Sequence, residues 1–279
     1  MKLHGDGLPG RERDSGMISA LKNQVRKMLK KYNVAITKYS NLDRLEERFK
    51  ASNVFDLFRG FPDDHQSEIL TILRDSKSQL GQDVFALFES GFKKNGFFVE
   101  FGATNGVDLS NSYLLEKDFG WTGILAEPAT KWHTDLKNNR NCHIETDCVW
   151  RESNQVLTFS EADDGAFSTI DLYNSADSRK RNREHGKAYK VSTISLADLL
   201  GKYNAPKTID FLSIDTEGSE YEILRNFDFN KYQFRVIACE HNFAPQREKI
   251  FALLTEKGYV RKFEGRSRFD DWYVKPGVA

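Results

Sequence analysis

Short apolar runs, each closed by an acidic residue, recur through the last two thirds of the chain. Phe97-Phe98-Val99 ends on Glu100, Thr122 to Ala126 on Glu127, Ile209 to Ile214 on Asp215, and Val236-Ile237-Ala238-Cys239 on Glu240. Runs of this length, mainly apolar rather than alternating, mark strands buried on both faces. Strands are expected near 97–100, 122–126, 142–146, 208–214, 234–240, 258–264 and 270–275. Helices are expected near 109–118, 129–138, 195–201, 218–225 and 245–257. This alternation predicts an α/β fold, a mostly parallel sheet with helices on both faces. Gly265-Arg266-Ser267 between the last two strands leaves no room for a crossover helix, so these should pair as an antiparallel hairpin.

Upstream the pattern changes. Met1 to Gly16 is rich in glycine and charge and reads as a disordered leader. Ile18, Leu21, Val25, Met28 and Leu29 then recur at helical spacing, with Lys22, Arg26, Lys27, Lys30 and Lys31 on the other face. Such a basic amphipathic helix fits an anionic membrane surface or packs on its own domain or a second copy of the chain. Asn41 to Ala51 and His65 to Arg74 also look helical, with a turn at Phe61-Pro62-Asp63-Asp64. The expected organisation is a leader over 1–16, a helical N-terminal extension over 17–77 and an α/β domain over 78–279.

Composition narrows the function classes. Lys plus Arg and Asp plus Glu both total 41 in 279 residues, so no overall charge argues for nucleic acid. The cysteines Cys142, Cys148 and Cys239 make neither a metal-type pair nor a disulfide framework. With no secretory segment and no apolar run approaching about 18 residues, a cytoplasmic protein is expected, peripheral at a membrane if the N-terminal helix binds one.

The chemistry gathers around Gly96 to Gly106, GFFVEFGATNG. A glycine turn after one strand and a carboxylate, Glu127, after the next, roughly 20 residues on, is how α/β folds hold a ribose. A dinucleotide would bring a pyrophosphate and a G-x-G-x-x-G turn, but Thr104 stands at the second glycine position and the acid Glu100 sits beside the turn. S-adenosylmethionine has no phosphate and carries a sulfonium and an amino group, which suits that carboxylate better. Asp215 and Glu240-His241 arrive on adjacent strand ends. Together they could hold Mg²⁺ or Mn²⁺, or His241 or Asp215 could serve as a general base.

The segments VEFGATNGVDLSNSYLLEK, GILAEP, DFLSIDTEGSEYEIL and VIACEH resemble the FkbM family of S-adenosylmethionine-dependent methyltransferases. The resemblance runs from about Ser78 to Pro276 and is most specific at Asp215-Thr216-Glu217-Gly218-Ser219-Glu220. Where the family usually has Asp and then Asn, this chain has Glu100 and Thr104, with Asn105 one place later. The resemblance implies a class I methyltransferase (Rossmann-like) sheet and O-methylation of a hydroxyl on a sugar or glycan, lipid- or nucleotide-linked, or on a small natural product. A carbohydrate or glycoconjugate is the implied acceptor. A dinucleotide-dependent oxidoreductase or epimerase and a catalytically silent adaptor are the competing readings.

On this reading Glu100, Gly102 and Ala103, with Ser110 or Asn111, contact the methionine part of the cofactor. Glu127 takes the ribose diol, and Asp147 the adenine amino group, with Cys148 and Val149 along the ring. Asp215, Glu217 and His241 form the catalytic set, and Asp215, Glu240 and His241 the metal set. Glu220 is expected to be structural. Gln79 and its neighbours could close over the cofactor, the turn Asp164 to Thr169 could touch the acceptor, and the basic run Arg179 to Lys190 could hold phosphates of its carrier.

Overall fold

A computed structural model describes residues 53–162, 169–170 and 187–278. At its centre β1 (Phe97–Phe101) lies between β2 (Thr122–Ala126) and β8 (Thr208–Ile214), parallel to both. Beyond β2 lies β3 (His143–Glu145); beyond β8 lie β9 (Gln233–Glu240), β11 (Asp270–Val274) and β10 (Val260–Lys262). The sheet has seven strands in the order β10-β11-β9-β8-β1-β2-β3, and only β11 runs antiparallel to its neighbours. The expected closing hairpin is present. The strand order reverses between β1 and β8, and at such a switch point ligands bind beyond the carboxyl ends of the strands.

Alternate residues feed two separate cores, as a strand's period of two requires. Val99, Ile124, Leu212 and Ile237 face α5 (Leu196–Lys202), α6 (Glu220–Arg225) and α7 (Gln246–Glu256). Phe98, Leu125, Phe211 and Val236 face the other way, toward α2 (Gln82–Glu89), α3 (Tyr113–Phe119) and Leu136 of α4 (His133–Asn139). That second core also takes Leu57 and Phe61, together with Ile69 and Ile72 of α1 (Gln66–Asp75). Phe61 stacks within 5.0 Å of both Phe88 and Phe263. This corrects the boundary expected at residues 77 and 78: the chain divides into Met1–Phe49 and Lys50–Ala279, and residues 53–75 supply part of the domain's own core.

A second, four-stranded sheet was not anticipated. It joins β4 (Cys148–Trp150), β7 (Lys187–Ser195), β5 (Val156–Glu161) and β6 (Thr169–Ile170) in that order. No strand was expected between 146 and 208, although in β7 Val191 and Thr193 turn inward and Lys190 and Ser192 outward, the alternation of a half-buried strand. The leader, the helices expected over 18–51, the turn at 164–168 and the basic residues 179–186 lie outside the described residues. Among the described residues no helix is long and apolar enough to cross a membrane.

Candidate active site

The turn after β1 can form only with glycine. Gly102 has φ +74°, and a Cβ there would sit 2.4 Å from the backbone oxygen of Asp215. The glycine therefore lets the β1 end and the β8 end close to van der Waals distance. Glu127, just past β2, clamps the same turn from the side. One carboxylate oxygen accepts the Thr104 N–H and the other the Ala129 N–H, both at 2.8 Å. Burial pushes its carboxyl up to about 7, against those two donors, and the charges of Asp215 and Glu161 add to the rise.

Glu100 is buried and committed to the loop that follows. It accepts from Ser110 Oγ at 3.1 Å, from the Asn111 N–H at 2.8 Å and from Ser112 Oγ in a short bond. Burial raises its carboxyl, opposed by the charge of Arg140 and by these donors. Ser110 is likewise engaged, accepting from Arg140 while donating to Glu100. Ala103 turns its methyl into the second core. Of the remaining expected cofactor residues, Asn111 and Cys148 line the cleft, whereas Asp147 does not. The Asp147 N–H donates to Glu145, which also holds Lys202 at 2.7 Å.

At the ends of β8 and β9, Asp215, Glu217 and Glu240 each bring one oxygen within 4.8 Å of the others. Glu217 is held at φ +56°, a left-handed conformation that costs on the order of 1 kcal/mol. Burial, then the charges of Asp215 and Glu217, push the Glu240 carboxyl well above its usual value. His241 is a correction. Its backbone N–H pairs with the Phe269 carbonyl, and its ring, on the face opposite to Glu240, does not line the cleft. There Nδ1 accepts the Phe243 N–H at 2.9 Å and Nε2 lies 3.8 Å from Asp271. Burial holds its pKa below the usual value. The oxygen-donor cluster is therefore Asp215, Glu217 and Glu240, not Asp215, Glu240 and His241. Glu220, expected to be structural, stands outside it: Oε1 accepts from Thr216 N, Thr216 Oγ1 and Gly218 N at 3.0 Å, tying down the turn that carries Glu217.

Sequence reasoning missed Asp270. It opens β11 opposite Glu240, lines the cleft and accepts from Gln82 Nε2 at 2.8 Å and Trp272 Nε1 at 3.3 Å. Burial raises it to about 7. The Asp270-Asp271 pair at the start of the hairpin's second strand was the available signal, because its partner Gln82 is remote in the chain. Gln79 and Gln82 both stand on the cleft wall, as their position before β1 suggested.

These elements enclose a cleft of about 1200 Å³, its open mouth included. One end is apolar, lined by Pro128, Cys148, Val149, Phe159 and Ile170, all but Pro128 from the second sheet. Among the described residues every charged side chain on the wall is acidic: Glu100, Asp108, Glu127, Asp215, Glu217, Glu240 and Asp270. Such a wall favours a cationic ligand and opposes a pyrophosphate.

The family model for the Methyltransferase FkbM domain matches residues 100–261, more than half of the chain. Among solved structures, a methyltransferase FkbM from Methylobacillus flagellatus KT is similar at 14% identity over 81% of this chain and 58% of that one, with a TM-score of 0.42. The S-adenosylhomocysteine-bound methyltransferase PaMTH1 of Podospora anserina is 14% identical over 98% of this chain and 99% of its own, with a TM-score of 0.36. A precorrin-6y C5,15-methyltransferase from Geobacter metallireducens GS-15 is 12% identical over 64% of this chain and 71% of its own, with a TM-score of 0.34. No curated protein matches the chain. At these identities the structural neighbours carry no residue roles, and the assignment stands on the family model: the chain belongs to the FkbM family of S-adenosylmethionine-dependent methyltransferases.

Proposed function

We propose that this cleft binds S-adenosylmethionine and transfers its methyl group to a hydroxyl of a sugar or glycan. The observation that carries the cofactor reading is the acid-only wall around a glycine turn. A sulfonium and an ammonium gain from these carboxylates, whereas a dinucleotide's phosphates would be repelled. The adenine goes to the apolar end between Val149 and Phe159, and the ribose diol to Glu127. The sulfonium then stands over Gly102 beside Asp215, and the amino-acid end extends toward Asn111 and Ser213.

In the reaction the acceptor oxygen forms a bond to the methyl carbon as the carbon–sulfur bond breaks, leaving neutral S-adenosylhomocysteine. The acceptor's proton must go elsewhere, because a sugar hydroxyl is a poor nucleophile at neutral pH. Asp215 and its neighbours supply carboxylate oxygens for it. The same all-oxygen set suits Mg²⁺ or Mn²⁺, which when bound would acidify the hydroxyl. A carbohydrate acceptor is supported by the family resemblance and by the density of hydrogen-bonding groups, Gln79, Gln82 and Asp270, at that end of the cleft.

Calorimetry with S-adenosylmethionine and NAD tests the cofactor: binding of the first alone is expected, and binding of NAD alone would overturn the reading. Methyl transfer to a panel of glycans, with and without EDTA, tests acceptor and cation. Turnover restored after EDTA by Mg²⁺ or Mn²⁺ is expected, and full turnover in EDTA would assign proton removal to the carboxylates alone.

A further inference from the structure

The loop between β1 and α3 is gripped from behind by a residue on no wall of the cleft. Arg140 follows α4, and its side chain is completely buried. Its guanidinium donates to Glu116 at 2.8 Å, to the Gly106 carbonyl at 3.0 Å, to Ser110 Oγ at 3.1 Å and to Ser112 Oγ at 2.9 Å. Its planar face lies 5.5 Å from the Phe98 ring and 5.8 Å from the Tyr113 ring. The approach is so close that a Cβ on Gly106 would stand 2.7 Å from Arg140 Cγ. From the opposite side Glu100 accepts from the same two serine hydroxyls.

Asn111 is the residue between those two serines. Its backbone N–H is fixed by Glu100, and its side-chain Nδ2 donates to Ser213 Oγ at 2.9 Å. Its Oδ1 is buried and accepts nothing, although Asn111 lines the cleft. A buried carbonyl without a donor is costly, and native proteins leave few of them. Of this loop's buried side-chain polar atoms among the described residues, Asn111 Oδ1 is the one left without a partner, and its residue lines the cleft.

We infer that Arg140 is a positioning residue for the amino-acid end of the cofactor, acting through Ser110 and Ser112 to aim Asn111 Oδ1 at the cofactor's ammonium group. The inference rests on the proposed cofactor reading. The arrangement divides labour by chemistry. A lysine in place of Arg140 would keep the charge but lose the planar fork that reaches the Gly106 carbonyl and both hydroxyls at once. Charge alone does not set the loop; the fork does. The ammonium is a donor and Oδ1 an acceptor, so bonding satisfies the one buried side-chain atom of the loop that lacks a partner among the described residues.

The test compares two ligands by titration calorimetry. S-adenosylhomocysteine carries the amino-acid end; 5′-methylthioadenosine keeps the adenosine and sulfur but lacks it. Asn111→Ala removes the receiving atom, Arg140→Lys removes the fork, and Ser112→Ala is a milder cut of the same link should Arg140→Lys not fold. Each variant is expected to weaken S-adenosylhomocysteine by about tenfold or more, the scale of one charge-assisted bond. Affinity for 5′-methylthioadenosine should stay within about twofold of wild type, because the adenosine half is held elsewhere. A general loss of packing would lower both affinities together. Equal losses for the two ligands, or no loss for either, would overturn the inference. A wild-type protein that binds neither ligand would instead overturn the cofactor reading.

Discussion

Glu100 and Glu240 both end buried strands near the centre of the sheet, both are sealed from solvent, and burial raises both carboxyls. What their oxygens meet is opposite. Glu100 faces three donors and, beyond them, the Arg140 guanidinium. Glu240 faces Asp215 and Glu217, two further acids. An acid surrounded by donors is scaffold, because its charge is neutralised by the turn it organises. An acid packed against acids stores electrostatic tension that a cation, a proton or a substrate donor relieves, and such tension collects at functional sites. Glu127 stands between the two: it clamps two backbone N–H groups yet lines the cleft with its carboxyl at about 7.

Removing a scaffold acid should do the most damage. Glu100→Ala would strand three donors and a buried guanidinium, and a loss of roughly 3–5 kcal/mol in urea unfolding is expected. A loss below about 1 kcal/mol would erase the distinction between the two ends of the sheet. Next comes the turn that joins them. Gly102→Ala puts a methyl against the Asp215 backbone oxygen at a positive φ; a cost of roughly 1–3 kcal/mol is expected, with weakened S-adenosylhomocysteine binding in calorimetry. Wild-type stability with full affinity would show that the two strand ends can separate freely.

Asp83 sharpens the contrast through pH. It is buried among Ser76, Ser78 and the Val84 N–H, and burial raises its carboxyl to about 6. Because the folded value lies above the unfolded one, the folded state holds the proton more tightly. Its stabilising share is full below about pH 4 and is lost as pH rises through about 6. Asp83→Asn should therefore gain on wild type, by about 3 kcal/mol, between pH 4 and pH 8 in paired unfolding curves. A difference that does not change with pH would mean that the carboxyl titrates normally. The smallest effect is expected in the acid cluster. Asp215→Asn removes one repelling charge from Glu240 and should leave stability unchanged or raised by about 0.5–1 kcal/mol. A marked loss of stability would make Asp215 a scaffold residue like Glu100.

Much of the fold was legible along the chain. Each expected strand of the large sheet is present, because a run apolar on both faces is a local property that burial must satisfy. The glycine at 102 and the acids ending β1, β2, β8 and β9 were also found where the pattern put them. The four-stranded sheet was missed because β7 follows the basic run and was read only for its charge. The domain boundary was misplaced because nothing local at Leu57, Phe61 or Ile69 reveals that they share a core with Phe85 and Trp272.

By itself, the sequence determined the sheet, the glycine turn and the presence of an acid at each strand end, since periodicity and turn chemistry act over a few residues. Tertiary structure alone decided what those acids do. Arg140 reaches Ser112 across 28 residues and Gln82 reaches Asp270 across 188, distances over which no spacing rule operates. The ring of His241 lies beside Asp271 rather than in the cleft. A carboxylate becomes clamp or reactive group according to whether donors or other acids are brought to it, and that is settled only when the chain has closed on itself.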